Sequence, residues 1–222
     1  MGNKLYFDIE NVINTLKERR HAFVSEADFQ LEFAWVIKEL YPDFKVRLEY
    51  TPEFKSSMHI DILLITKKGW IPIELKYKTK GGKVKDGDDE YILANHGAKD
   101  VNCYLYLKDL QRIEYIKKKL IEKNDVPFVE GYTVMLTNDL TYLKSSKEDT
   151  VYVDFSIHNG AIKTGEMKWG ENASEGTKKG HEKPIVLEGK YPIHWKEYKE
   201  VGREVEGKYG EFYYTYNKVE GD

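Results

Sequence analysis

Two adjacent apolar segments, residues 59–66 and 70–78, restrict the fold more than any other feature of the sequence. The first contains IDILLI, which is apolar on both faces apart from Asp61, as expected of a strand in the middle of a sheet. Lys67-Lys68-Gly69 lies between the two segments and predicts a hairpin turn. The two segments are therefore predicted to be neighbouring strands.

The second segment, WIPIELKYK, places its polar residues on one face. Because successive side chains of a strand point to opposite faces, Glu74 and Lys76 share a face and lie about 7 Å apart along the strand. Pro72 and Lys78 share that face. The opposite face carries Ile71, Ile73, Leu75 and Tyr77.

The spacing of apolar residues predicts the remaining elements. The predicted helices are 8–20, a helix capped by Ser25 and followed by Pro42, and about 98–123; the other predicted strands are 45–51, 131–137, 151–157 and 212–216. The glycine-rich, charged segment 79–90 and the segment 170–183 are predicted loops. The order of helices and strands predicts an α/β core with a mixed sheet over residues 1–155, onto which a mostly β, tyrosine-rich extension, residues 156–222, packs.

Composition limits the class of protein. The 222 residues carry a formal net charge of −3, so a nucleic-acid function would depend on a local basic patch. No uncharged apolar run approaches the roughly 20 residues of a membrane span, and the first residues lack the apolar core of a signal peptide. The lone Cys103 has no internal disulfide partner. Together these features predict a cytoplasmic protein without a membrane partner.

The candidate site consists of Asp61 on the first strand and Glu74-Leu75-Lys76 on the next. If the strands pair as a hairpin, Asp61 approaches Glu74. Two carboxylates and a backbone carbonyl, here that of Leu75, are the hard oxygen ligands that suit Mg²⁺. A lysine beside them can orient or deprotonate a water molecule and offset charge on a phosphate.

The string Glu-x-Lys alone is weak support for such a site. Its six copies begin at Glu53, Glu74, Glu166, Glu188, Glu197 and Glu206. Only the copy at Glu74 lies in an apolar strand that follows another apolar strand with a single Asp. The alternative is an edge hairpin whose polar face, with Glu74 and Lys76 as a solvated pair, lies in water.

The order of these residues resembles the PD-(D/E)XK nuclease superfamily. Its pattern is a helix bearing a Glu, a strand, a strand bearing Asp, a strand bearing (Asp/Glu)-x-Lys, then a helix and further strands, and residues 25–140 are similar to it. The chain departs from the pattern at His59-Ile60, where the motif name has Pro. The strings FVSEADFQLEFAWVIKELYPDFKVRLEY, HIDILL and IPIELKYK also resemble a group of bacterial proteins of unassigned function with this fold.

The resemblance implies a restriction-endonuclease-like fold, in which homodimers are common. It implies hydrolysis of phosphodiester bonds with Mg²⁺, or alternatively Mn²⁺, DNA being favoured over RNA as the nucleic-acid partner. Asp61, Glu74 and the Leu75 carbonyl would hold the metal, and Lys76 would position the attacking water.

The helical Glu of the family corresponds to Glu26 or Glu32. At 100° per residue, Glu26 falls within the inward arc of Phe29 and Phe33, whereas Glu32 lies 80–100° away from it. Glu26 is therefore the fourth candidate catalytic residue and Glu32 its alternative. Glu26 in a first helical turn also complements the helix dipole without any catalytic role.

Weaker candidates surround this constellation. Arg47 and Glu49 share the polar face of the first strand and could flank the same site, although a solvated face is the alternative. The candidates for substrate contact on the long helix are Asp100, Lys108, Gln111 and Arg112. One local concentration of lysines could contact phosphates and comprises Lys76, Lys78, Lys80, Lys83 and Lys85. An alternative function is a non-catalytic module that keeps the fold and binds nucleic acid or a protein partner.

Overall fold

A six-stranded mixed sheet lies at the centre of the computed structural model, which describes residues 6–199 and 205–221. The helices are α1 (Ile9–Arg19), α2 (Glu26–Leu40), α3 (Lys99–Lys123) and α4 (Glu175–Lys178). The strands are β1 (Lys45–Tyr50), β2 (Ile60–Thr66), β3 (Gly69–Lys78), β4 (Gly82–Asp86), β5 (Asp89–Leu93), β6 (Glu130–Thr137), β7 (Ile162–Met167), β8 (Ile185–Pro192), β9 (Lys196–Tyr198), β10 (Val205–Glu206) and β11 (Phe212–Glu220).

The central sheet has the strand order β1-β2-β3-β6-β11-β9. Every neighbouring pair in it is antiparallel except β3 and β6, which are parallel and are joined through β4, β5 and α3. Smaller sheets are formed by β10-β4-β5 and by β7-β8. The prediction of an α/β fold with a mixed sheet is therefore confirmed.

Local sequence explains where the first two helices begin. The Asp8 side chain accepts hydrogen bonds from the backbone N–H groups of Glu10 and Asn11 and caps α1. The Ser25 hydroxyl accepts one from the Asp28 N–H at 3.1 Å and caps α2, as the sequence predicts. These caps place Glu26 at the first position of α2.

Two apolar layers cover the two faces of the central sheet. One packs α1 and α2 against Ile73, Leu75 and Tyr77 of β3. The other includes the buried residues of α3 and of the segments that follow it. Strand β3 lies between β2 and β6 with both faces covered, so the alternative of a solvated edge hairpin is wrong. The hairpin turn before β3 is confirmed, with Gly69 at φ 136°.

Two local predictions are wrong. The charged segment 79–90 is not a loop but contains β4 and the first two residues of β5. This hairpin forms because Val84 of β4 and Tyr91 and Leu93 of β5 are buried in the core. The segment 151–157 is not a strand. The Val153 N–H donates a hydrogen bond to the Thr150 carbonyl in a turn, and Val153–Phe155 form a 3₁₀ helix, so the backbone does not pair with a neighbouring strand.

The C-terminal third contributes to the central sheet. Strand β11 pairs along its length with β6 and, near its start, with β9. The aromatic residues Trp195, Tyr198 and Tyr214 are buried in the two apolar layers. None of the helices in the described part of the chain is long and apolar enough to cross a membrane.

Tyr77 ties β3 to the chain that precedes α2. Its buried hydroxyl donates a hydrogen bond to the Phe23 carbonyl at 2.8 Å and accepts one from the Phe23 N–H at 3.1 Å.

Tyr77→Phe should lower the free energy of unfolding by about 1–3 kcal/mol, because two buried backbone groups lose their partner. Urea unfolding measures the change, with Tyr209→Phe at an exposed position as the control. Equal stability of both variants and the native chain would contradict this role.

Candidate active site

The candidate site lies where β2 and β3 separate. The two strands pair from Thr66 and Gly69 as far as Ile62 and Ile73, whereas β3 continues beside β6 to Lys78. On this stretch of β3 the backbone groups that face β2 have no partner strand. We call the space beside residues 74–78 of β3, next to Asp61, the fork.

Two carboxylates take the place of the missing strand. Asp61 Oδ2 accepts a hydrogen bond from the Leu75 N–H at 2.7 Å. Glu26 Oε2 accepts one from the Tyr77 N–H at 2.8 Å and another from Lys78 Nζ at 2.9 Å. Charged acceptors on buried backbone donors form strong hydrogen bonds. Both acids are therefore held at the open edge of β3.

Gln30 joins α2 and β1 to the same place. Its Nε2 donates to the Asp61 carbonyl and to Glu49 Oε1, each at 2.7 Å. Glu49 has φ 49°, a left-handed conformation that is unusual for a residue within a strand. Arg47, the other candidate on β1, donates to the Val46 carbonyl and forms no ion pair with any acid in the part of the chain that the structure describes. Glu49 thus flanks Asp61.

Helix α3 covers the fork from the other face of the sheet. Lys76 Nζ lies 2.6 Å from Asp109 Oδ2 and donates to the Leu75 carbonyl at 3.1 Å. Arg112 Nη1 lies 3.0 Å from Asp109 Oδ1, and its Nη2 lies 3.0 Å from Glu74 Oε1. Glu74, Arg112, Asp109 and Lys76 therefore form one continuous chain of alternating charges.

Glu74 is the most deeply buried acid of the fork. The residue is 1% exposed, and neither of its carboxylate oxygens accepts a hydrogen bond of good geometry from the described residues, although Arg112 is close. Burial, followed by the charges of Asp109 and Asp61, raises the pKa of Glu74 well above its ordinary value. A buried carboxylate whose oxygens lack hydrogen bonds is a costly arrangement without a bound cation.

Asp61 is perturbed for a similar reason. Burial raises the pKa of Asp61 to about 6, even though the Lys76 charge and the Leu75 N–H both lower it. Asp109 and Glu49 add like-charge repulsion. The Asp61 carboxyl therefore loses its proton close to physiological pH.

Lys76 stays protonated. Burial alone lowers the pKa of Lys76, but the charges of Asp109, Glu26 and Asp61 outweigh burial and raise it above the usual lysine value. An ammonium group of this kind donates hydrogen bonds and supplies positive charge. It does not serve as a base at neutral pH, so of the two predicted roles the structure favours orientation over deprotonation of a water molecule.

The oxygen atoms of the fork suit a hard cation in chemical type. Asp61, Glu74 and the Leu75 carbonyl supply two carboxylates and one backbone oxygen. The two Glu74 oxygens accept no hydrogen bond of good geometry from the described residues. Within residues 6–199 and 205–221, no group of three or more His, Cys, Asp or Glu side chains is arranged to hold a metal ion. The Leu75 carbonyl, the third oxygen of this set, accepts a hydrogen bond from Lys76.

The structure separates the two helical candidates and adds two residues. Glu26 reaches the fork, whereas Glu32 lies 3.4 Å from Arg20. Gln30 and Asp109 were not identified from the sequence. Gln30 follows Glu26 by four residues on α2, and Asp109 precedes Arg112 by three on α3, so helical spacing placed each beside a named candidate.

Most of the predicted lysine patch is neutralised. Carboxylates lie within ion-pair distance of four of its five members. The pairs are Lys76–Asp109, Lys78–Glu26, Lys80–Asp139 and Lys83–Glu90. This segment consequently offers little net positive charge to a phosphate.

Asp61→Asn should stabilise the protein at pH 8. The Asp61 pKa rises from 3.8 to about 6 on folding, so the native state binds a proton that the unfolded state releases, and stability falls as pH rises through this range. Asparagine keeps an acceptor for the Leu75 N–H without this cost, and the gain should reach about 2–3 kcal/mol. Below pH 4 the two proteins should be equally stable.

Urea unfolding in EDTA between pH 3.5 and 8 measures the difference. Asp88→Asn, at an exposed position of the β4–β5 turn, is the control, and its free energy of unfolding is compared with that of the native chain at each pH. An Asp61→Asn protein that is less stable than the native chain at pH 8 would show that the ionised carboxylate stabilises the fold.

The chain has no match among the known proteins compared with it: no family model, no curated protein and no solved structure. The assignment of function therefore depends on the residues and geometry of the fork.

Proposed function

We propose that this chain is a metal-dependent nuclease of the restriction-endonuclease-like fold that hydrolyses phosphodiester bonds in DNA. The observation that carries the proposal is the fork, where Asp61, Glu26, the Leu75 carbonyl and Lys76 meet at the open edge of β3. The element order supports it: α2, the antiparallel strands β1 to β3, α3, and then β6 parallel to β3 follow the PD-(D/E)XK pattern.

Asp61, Glu74 and the Leu75 carbonyl would hold Mg²⁺ or Mn²⁺. A divalent cation bound there supplies Lewis-acid polarisation of a phosphoryl oxygen and lowers the pKa of a bound water. Its positive charge would also relieve the repulsion that raises the pKa values of Glu74 and Asp61. Cation binding would therefore remove the electrostatic cost of keeping Glu74 and Asp61 ionised in the fork.

The side chains of the chain have separate roles in this proposal. Protonated Lys76 donates to a phosphate oxygen or to the attacking water and stabilises negative charge that develops there. Asp109 holds the Lys76 ammonium in place at 2.6 Å. Glu26 fixes the edge of β3 through the Tyr77 N–H.

Arg112 controls access to Glu74. The Arg112 side chain is 25% exposed and its guanidinium lies against Glu74, whose side chain is 1% exposed. Cation binding by Glu74 therefore requires the Arg112 side chain to move toward solvent. A guanidinium released in this way is suited to bidentate contact with a phosphate.

The second candidate function is a non-catalytic module with the same fold. The specific observation in its favour is that the cations of the fork already have carboxylate partners, Lys76 with Asp109 and Arg112 with Glu74. In such a module the chain of charges would only join α3 to β3. Binding of Mg²⁺ distinguishes the two functions.

A cleavage assay tests the nuclease. Supercoiled plasmid, linear DNA and an RNA oligonucleotide are incubated with Mg²⁺ or Mn²⁺, and the initial rate is measured. Lys76→Ala should lower the rate of DNA cleavage about 100- to 1000-fold, because one preorganised charged donor is lost. The matched control is Lys85→Ala at an exposed position of β4, which should cleave at the native rate.

Thermal unfolding supplies a readout besides activity. A cation that binds the native state raises the melting temperature, so Mg²⁺ should raise it for the native chain and less for Asp61→Asn. Cleavage that Lys76→Ala leaves unchanged would overturn the proposed site. Intact DNA together with a melting temperature that Mg²⁺ does not alter would favour the non-catalytic module.

A further inference from the structure

A groove of about 320 Å³ runs along the exposed side of α3 next to the fork. Lys108, Gln111, Tyr115 and Lys118 line it from successive turns of α3, at the three- and four-residue spacing of one helix face. Lys55 and Met58 line it from the segment between β1 and β2, and Val186 and Glu188 from β8.

Lysines in and beside this groove lack the carboxylate partners found elsewhere. Within the described ranges, Lys55, Lys108, Lys118 and Lys183 form no ion pair, and Lys108 Nζ donates only to Gln111 Oε1 at 2.7 Å. In contrast, Lys78, Lys80 and Lys83 each form an ion pair with an acid. The unneutralised positive charge of this face therefore lies along α3. We call Lys55, Lys108, Lys118 and Lys183 the lysine groove.

The cations of the groove are close enough to repel one another. Burial first, and then the charges of Lys55, Lys183 and Arg112, lower the pKa of Lys108. The two acids of the groove are Glu114 and Glu188. Glu114 is already engaged, since its carboxylate accepts hydrogen bonds from the Gly189 N–H and the Tyr191 hydroxyl, both at 2.7 Å.

A pair of aromatic rings lies beside Lys55 of the groove. Lys55 Nζ is 5.0 Å from the centre of the Tyr115 ring, and Phe54 packs edge-on against that ring at 6.2 Å. Half-buried aromatic rings beside lysines offer stacking surfaces next to positive charge, and proteins use this combination to bind nucleic-acid strands.

Arg112 connects the groove to the fork. It lines the groove and its guanidinium lies 3.0 Å from Glu74. We propose that the lysine groove binds the sugar–phosphate backbone of a nucleic acid and leads it to the fork. This proposal rests on the nuclease function and identifies where its substrate is held outside the cleavage site.

Fluorescence anisotropy tests the groove with a labelled 20-base single strand and a 20-base-pair duplex, with Ca²⁺ in place of Mg²⁺. The test variant is Lys55→Gln/Lys108→Gln/Lys183→Gln, which removes three charges and keeps chain length. The matched control, Lys83→Gln/Lys85→Gln/Lys147→Gln, removes the same charge from other exposed positions. Circular dichroism and thermal unfolding confirm that both variants are folded. If the test variant is unfolded, Lys55→Gln/Lys183→Gln, with both changes at exposed positions, replaces it.

The test variant should bind at least 10-fold more weakly than the control, and its dependence of log K on log salt should be shallower by about 2–3 for the duplex, because counterion release falls with each lost phosphate contact. Equal binding by test variant and control, absence of binding by the native chain, or displacement by polyglutamate as readily as by DNA would each overturn the groove. Polyglutamate displacement would indicate an acidic protein partner.

Lys76→Ala separates this proposal from the nuclease. A Lys76→Ala protein that binds DNA normally and does not cleave it supports both. One that still cleaves at the native rate would overturn the proposed active site, whereas the binding loss of the lysine variant would remain as support for the groove.

Discussion

The separation of β2 from β3 is the constraint on which the rest of the structure depends. A central strand with a bare edge leaves buried backbone N–H groups without acceptors, which is costly. Asp61 and Glu26 fill that role for Leu75 and Tyr77. The same hydrogen bonds that complete the sheet therefore fix two carboxylates beside the Leu75 carbonyl, so the fold itself assembles the acids of the candidate site.

Helix α3 compensates for part of the cost of these charges. Asp109 and Arg112 pair with Lys76 and Glu74. Compensation is incomplete, since Glu74 and Asp61 keep raised pKa values and the Glu74 oxygens accept no hydrogen bond of good geometry from the described residues. Strain of this kind at a cluster of charged residues is typical of a site that is shaped for binding or catalysis.

Sequence patterns predicted the structural features that depend on residues close together in the chain. Strict alternation placed Glu74 and Lys76 on one face of β3, and the Ser25 cap placed Glu26 at the start of α2. The partners of Glu74 and Lys76 could not be predicted, because Asp109 and Arg112 meet them only once α3 lies across the sheet. The hairpin of β4 and β5 was not predicted, because its glycines and charged residues are more typical of a loop than of alternating buried residues. Its partner strand β10 also follows much later in the chain.

The proposed function requires the fork to bind a divalent cation through Asp61, Glu74 and the Leu75 carbonyl. Crystals soaked in Mn²⁺ and measured at a wavelength with anomalous signal test it most directly. We expect an anomalous peak within about 2.5 Å of oxygen atoms of all three residues, with the Arg112 guanidinium displaced from Glu74. A fork without a peak, in which Arg112 still contacts Glu74 and Lys76 still contacts the Leu75 carbonyl, would contradict it.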